Sequence, residues 1–198
     1  MEKFGIRDGI SEVIVTTVSD AREFNAAPIG IICEGDEISA NIYSDSHTFS
    51  NISSNEMLVA NITKDPELFV LSALGDLSTN YYEKFHGYPV IRVAEAWILF
   101  RCEVIQSEEQ DHHKYFVVSL EPISAKVNFS DLNAVSRAKN AVIEATVHAT
   151  RFMLSRDKKL MEWIDYYDTI VSKCGGPGEK RAMERLYEFL GGRKKRDV

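Results

Sequence analysis

Near residue 128 the hydrophobic spacing of this chain changes from every second residue to every three or four. One sheet cannot follow both periods and neither can one helical bundle, so the chain must build two kinds of structure in succession. Ahead of the change, Ser11–Val18, Pro28–Cys33, Glu37–Tyr43 and Met57–Ile62 read as strands, with Ile38, Ala40 and Ile42 alternating with polar neighbours. Two longer strands follow, Arg92–Gln106 and Lys114–Lys126, separated by the acidic turn Ser107–Asp111. His47–Asn55 reads as a short helix capped by Ser46, and a second helix starts at the Asp65 cap with Pro66 in its first position and runs to Gly75. Residues 76–89 read as a polar, aromatic-rich loop. Many short strands with two brief helices predict a closed or half-open antiparallel barrel.

Beyond Asn128-Phe129-Ser130-Asp131 the period is helical. Val135, Ala138, Val142, Ala145, Ala149 and Phe152 share one face of a helix over Asn133–Ser155. A second helix is predicted over Asp157–Ser172, a break at Cys174-Gly175-Gly176-Pro177-Gly178, and a third helix over Glu179–Leu190. The fold class is therefore mainly β plus α, with a barrel domain over 1–127 and a C-terminal helical region over 128–198.

Charge follows the same division. Residues 1–125 carry 8 Lys+Arg against 20 Asp+Glu, a net of −12, whereas 126–198 carry 15 against 10, a net of +5. A chain acidic in sum argues against nucleic acid as the main partner. Apolar runs such as Ala96–Phe100 are too short to span a bilayer, and the N-terminus lacks the apolar stretch of a signal peptide, so a cytoplasmic location is expected. Cys33, Cys102 and Cys174 are few, far apart and outside any metal spacing, and read as reduced core thiols. No metal site and no Ser-His-Asp or Cys-His set can be assembled.

The chemistry concentrates in two segments. Asn25-Ala26-Ala27-Pro28-Ile29-Gly30 follows a strand ending in Thr16-Thr17, and its small residues leave backbone N–H and C=O groups uncovered for a flat ligand. Its plain alternative is a bend between strands. Some twenty residues on, Ser46-His47-Thr48 opens a helix, a place where backbone amides and the helix dipole favour a phosphate. Asn61, in Val59-Ala60-Asn61-Ile62, is expected to close a strand on the same rim. In the helical region Arg137, Glu144, His148 and Arg151 form a polar stripe, either a solvated face or one buried against the barrel or a second copy; the charge imbalance favours burial.

These segments resemble the FMN-binding split β-barrel superfamily in its flavin reductase-like branch, and more closely an uncharacterised archaeal family with an added C-terminal helical region. The resemblance covers roughly residues 9–125. It implies a split antiparallel β-barrel that binds FMN non-covalently as a homodimer. It assigns Thr17, Asn25, Ala26, Ala27 and Pro28 to the ring, Ser46, His47 and Thr48 to the phosphate, and Asn61 to the following strand. It further implies hydride transfer from a reduced nicotinamide through FMN to an acceptor. The catalytic residue stays open, because the family's Gly-Asp-His has Gln110 in place of glycine before Asp111-His112. A non-catalytic module for a flavin or deazaflavin is the alternative, and a purely structural protein is the third reading.

Overall fold

The structure, a computed structural model, describes residues 1–110, 113–128 and 134–191. The chain divides into two compact units, one of residues 1–7 and 11–135, the other of residues 8–10 and 136–198.

The first unit is a closed antiparallel barrel. Its strands are β1 (Gly9–Val18), β2 (Phe24–Glu34), β3 (Glu37–Tyr43), β4 (Met57–Ile62), β7 (Ala96–Gln110) and β8 (His113–Val127), in the order β1-β2-β3-β8-β7-β4. A two-stranded sheet of β5 (Tyr82–Phe85) and β6 (Tyr88–Ile91) stands outside the ring of six. The barrel is filled from alternate positions: Val13 and Val15, Ile31 and Cys33, Ala40 and Ile42, Leu58, Ala60 and Ile62, Ile98 and Phe100, and Val118 and Leu120 form one buried cluster. The period of two thus sorts each strand into an inner and an outer row.

The outer rows of β1 and β4 meet the β5–β6 hairpin. Asn61 is completely buried there, and its amide is fully used: Nδ2 donates to Ile14 O at 2.9 Å and Thr16 Oγ1 at 3.0 Å, while Oδ1 accepts from Ile91 N at 2.8 Å. Thr16 Oγ1 in turn donates to Pro89 O. Phe85 packs on Trp97 at 4.4 Å between ring centroids.

Helix α1 (His47–Asn55) joins β3 to β4, and α2 (Pro66–Leu74) follows β4. Each begins as its sequence dictates, with the Ser46 side chain accepting from Phe49 N and Asp65 accepting from Glu67 N. The second unit holds α3 (Arg137–Ser155), α4 (Lys158–Cys174) and α5 (Pro177–Phe189), capped at their starts by Ser136, Asp157 and Gly176. Ala138, Ala141, Ala145 and Ala149 let α3 lie close to Ile164, Val171, Met183 and Leu186. Gly9 has φ +90°, and a Cβ there would come within 2.7 Å of Cys174 O and Gly176 N, so only glycine fits this crossing.

Four expectations change. Asn25–Gly30 is not a bend, because β2 runs unbroken through it. Residues 76–89 are not a loop. They contain a 3-10 turn (Thr79–Tyr81) and most of the hairpin, which His86 and Gly87 turn at φ 48° and 90°, the positive values of a tight hairpin bend. The acidic residues 107–110 extend β7 and pair with β8, since Glu108 and Glu109 face Tyr115 and Lys114 across the ladder. Finally, within the single chain Arg137, Glu144 and Arg151 are exposed, and His148 is half-buried, stacked near Tyr167 and Trp163.

Two outcomes follow. Asn61→Ala orphans the buried Ile91 N–H, worth about 1–3 kcal/mol, leaves the Thr16 hydroxyl only its bond to Pro89 O, and should lower the melting temperature by several degrees. A melt superimposable on wild type removes the hub role. Burial pushes the Cys102 thiol up from 9.0 to about 12, with Glu56 adding to the shift. Between those values the unfolded thiol ionises while the folded one stays protonated, so this contribution to stability is complete below pH 9 and is lost as pH climbs toward 12. Chemical denaturation of wild type and Cys102→Ala across pH 8–11 should show the difference.

Candidate functional site at the barrel end

Helix α1 meets the barrel through reciprocal pairs of Asn and Thr. Asn51 on the helix donates to Thr17 Oγ1 on β1 at 2.9 Å, and Asn25 on β2 donates to Thr48 Oγ1 on the helix at 3.0 Å. Asn55 adds a bond to Val18 O at 3.0 Å. Thr17, Thr48 and Asn51 are buried. A polar group buried without a partner costs several kcal/mol, so these pairs fix where the helix begins relative to both strands.

The helix start is well defined. Ser46 Oγ accepts from Phe49 N at 3.1 Å and donates to Tyr43 O at 2.7 Å. That leaves the His47 and Thr48 amides at the first turn without an intrahelical acceptor, as at any helix start. Ser46 is half-buried and His47 exposed. Phe49, in the same turn, stacks on Phe116 of β8 at 4.1 Å and 7°.

Beside this turn runs an unusual length of strand. Residues 24–30 of β2 are all half-buried, whereas residues 13–18 of β1 and 58–62 of β4 are buried throughout. Asn25 turns toward Thr48, and Ile29, Ile31 and Cys33 turn into the barrel core, so Ala27 lies in the same row. Phe24 and Ala26 turn to the opposite side, where they pack with Leu68, Tyr82 and Ile91. Ala27, with only a methyl group, is thus the side chain that β2 itself places between Asn25 and Ile29 in that row.

The structure thus brings Thr17, Asn25, Ala27, Ser46, His47 and Thr48 to one end of the barrel. It does not bring Asn61 there. Its side chain points to the outer wall, and every hydrogen-bonding group on it is occupied by the hairpin and β1. Ala26 and Pro28 are adjacent in sequence but belong to the other row of β2. His112 lies outside the described residues. The sequence reading missed Asn51 and Phe116. Asn51 carried a readable signal, since a polar side chain three residues after Thr48 falls on the same inward helical face.

Among the described residues there is no group of His, Cys, Asp or Glu fit to hold a metal, and no helix is long and apolar enough to cross a membrane. The helical unit has its own cavity of about 500 Å³ between α4 and α5, lined by Asp168, Ser172, Lys180, Glu184 and Tyr187.

Comparison with known proteins gives this arrangement a context. The family model described as "Protein of unknown function (DUF447) N-terminal domain" matches residues 11–129, and "Protein of unknown function (DUF447)" matches residues 136–188. The crystal structure of FMN-bound protein MM1853 from Methanosarcina mazei is 40% identical, covers 94% of this chain and 98% of its own, and superposes with a TM-score of 0.58. Uncharacterized protein MJ1453 from Methanocaldococcus jannaschii is 26% identical over 192 residues, which is 91% of this chain and 98% of the relative. Flavin reductase PheA2 is more distant, with 17% identity, 62% of this chain and 82% of its own covered, and a TM-score of 0.47.

Removing the cap tests the local construction. Ser46→Ala deletes both hydrogen bonds of the half-buried Ser46 Oγ and should cost about 1 kcal/mol, whereas Asn51→Leu strands the buried Thr17 hydroxyl and should cost about 1–3 kcal/mol. Urea melts in which the exposed-side cap matters more than Asn51 would contradict this account of how α1 is held.

Proposed function

From its membership of the DUF447 family, to which this chain belongs, we propose that it is an FMN-binding flavoprotein whose cofactor sits against β2 and the start of α1. The single observation that carries the reading is the tie between Asn25 and Thr48, which sets a strand with little side-chain cover beside a helix N-terminus. FMN needs that combination. A planar ring wants backbone groups and small side chains, and a phosphate wants amides, hydroxyls and the positive end of a helix. The FMN-bound relative, aligned over almost the whole chain, supports it.

In this reading Ser46, the His47 and Thr48 amides and the His47 ring hold the phosphate, while Asn25 and the backbone at Ala27 orient the ring. Thr17 acts through Asn51 by fixing α1. A bound flavin supplies the capacity to take up and release hydride, and the chain's part is placement and exclusion of water. We propose further that two copies form a homodimer, since residues 24–30 remain half-buried in the single chain and a second copy would cover them. The reaction is hydride transfer from a reduced nicotinamide through FMN to an acceptor. The alternative, a flavin or deazaflavin carrier without turnover, is favoured by one observation of the sequence, Gln110 in place of the glycine before Asp111-His112.

The test compares FMN with riboflavin, which lacks the phosphate. Ser46→Ala with Thr48→Ala should weaken FMN by roughly ten- to a hundred-fold, the value of one to two charge-assisted contacts, and much more than it weakens riboflavin. Ala27→Leu should weaken both ligands alike, while Ala26→Leu should lower stability first, because Ala26 is packed in the hairpin cluster. Equal loss of both ligands in the double alanine variant places the phosphate elsewhere. Oxidation of a reduced nicotinamide by the FMN-loaded protein separates enzyme from carrier.

A further inference from the structure

We propose that Lys114 is the cation that makes this site select a phosphorylated flavin over the free ring system. The inference rests on the FMN reading above and adds a residue to it. An acidic barrel poses a difficulty for that reading: the residues grouped at the site from the sequence include no Lys or Arg, and a phosphate dianion approaching a domain of net −12 needs a compensating charge.

The fold supplies one from a distant part of the chain. Lys114 belongs to β8, and its carbonyl accepts a hydrogen bond from Ser44 N at 3.0 Å, two residues before the α1 cap. The β3–β8 ladder, with Tyr43 opposite Tyr115 and Ile42 opposite Phe116, carries that pairing to the rim. Lys114 and Phe116 are two residues apart on β8 and so face the same side, the side on which Phe116 stacks against Phe49 in the first turn of α1. The Lys114 ammonium lies 5.1 Å from the centre of the Phe116 ring. The ring pair thus joins Lys114 to the first turn of α1: the ammonium sits by Phe116, and Phe116 stacks on Phe49.

Two features keep this charge available. Lys114 is exposed, and among the described residues no carboxylate is ion-paired with it, although Glu109 stands opposite it on β7. Its contact with Phe116 is of the weak, exposed cation–π kind, which a phosphate outbids as a partner because it offers full charge and several acceptor oxygens. Lysine also suits the task as a flexible point charge able to swing from ring to ligand.

The experiment is a fluorescence titration of the full apoprotein with FMN and riboflavin, using wild type, Lys114→Met and Lys114→Arg, at low salt and at 0.5 M salt. Lys114→Met keeps the stem and removes the charge. It should weaken FMN by about ten-fold or more, leave riboflavin within two-fold, and flatten the salt dependence of FMN binding. Lys114→Arg should restore most of the FMN affinity. Unchanged FMN affinity in the methionine variant overturns the assignment while leaving the FMN reading intact, and so does an equal loss for both ligands. Wild type that binds neither ligand overturns both.

Discussion

The barrel end depends on the exchange of hydrogen bonds between two asparagines and two threonines. Helix α1 has nine residues, too few to be stable alone, and its inward face buries Thr48 and Asn51 alongside Ile52. A helix that short and that polar on its inner side is held by specific partners or not at all. Asn51 takes Thr17 and Asn25 takes Thr48, so each strand contributes one partner and the helix contributes the other two. Apolar packing alone would permit the helix to slide or rotate; paired donors and acceptors do not. The position of the helix start beside β2, on which any anion site here relies, follows from this exchange.

The same logic operates on the outer wall, with a different product. Asn61 connects β1, β4 and the β5–β6 hairpin through one buried amide. Its satisfaction explains why a short hairpin, marginal by itself, can stand outside the barrel. Tyr82 and Ile91 then join Ile14, Leu68 and Leu77 in a second buried cluster, against which Phe24 and Ala26 pack. One row of β2 is consumed by this outer cluster while the other remains next to α1. Asn25 and Asn61 therefore divide the labour: Asn25 shapes the barrel end, and Asn61 holds the outer wall.

Local signals were legible wherever a residue acts on its own neighbours. Ser46 before His47 and Asp65 before Pro66 mark helix starts because their side chains accept amides two or three residues on. The strand over Glu37–Tyr43 is written in its alternation. The small residues at 25–30, by contrast, left a bend open as the alternative to a ligand platform because glycine and proline usually punctuate; pairing within the sheet overrides that preference. Residues 82–91 hid a hairpin because its turn uses His86-Gly87, and a histidine at positive φ is a weak turn signal. Asn61 was legible as unusual but not as structural, since nothing local says that Ile91, thirty residues on, supplies its donor.

Charge shows the limit of adding up residues by segment. The opposite signs of the two halves favoured burial of Arg137, Glu144 and Arg151 against the barrel or a second copy, yet within the single chain all three are exposed, where screened charges contribute little. What matters at the barrel end is a single lysine brought by strand pairing to the helix start. Lys114 and Ser46 are 68 positions apart, and only the β3–β8 ladder makes them neighbours. A net charge of −12 sets the background against which an anion must be held; it does not decide where. One local cation beside an aromatic pair, added to amides already aimed by the helix, can reverse the sign of the field over the few ångströms a phosphate occupies, because Coulomb interaction at contact outweighs charges beyond the Debye length.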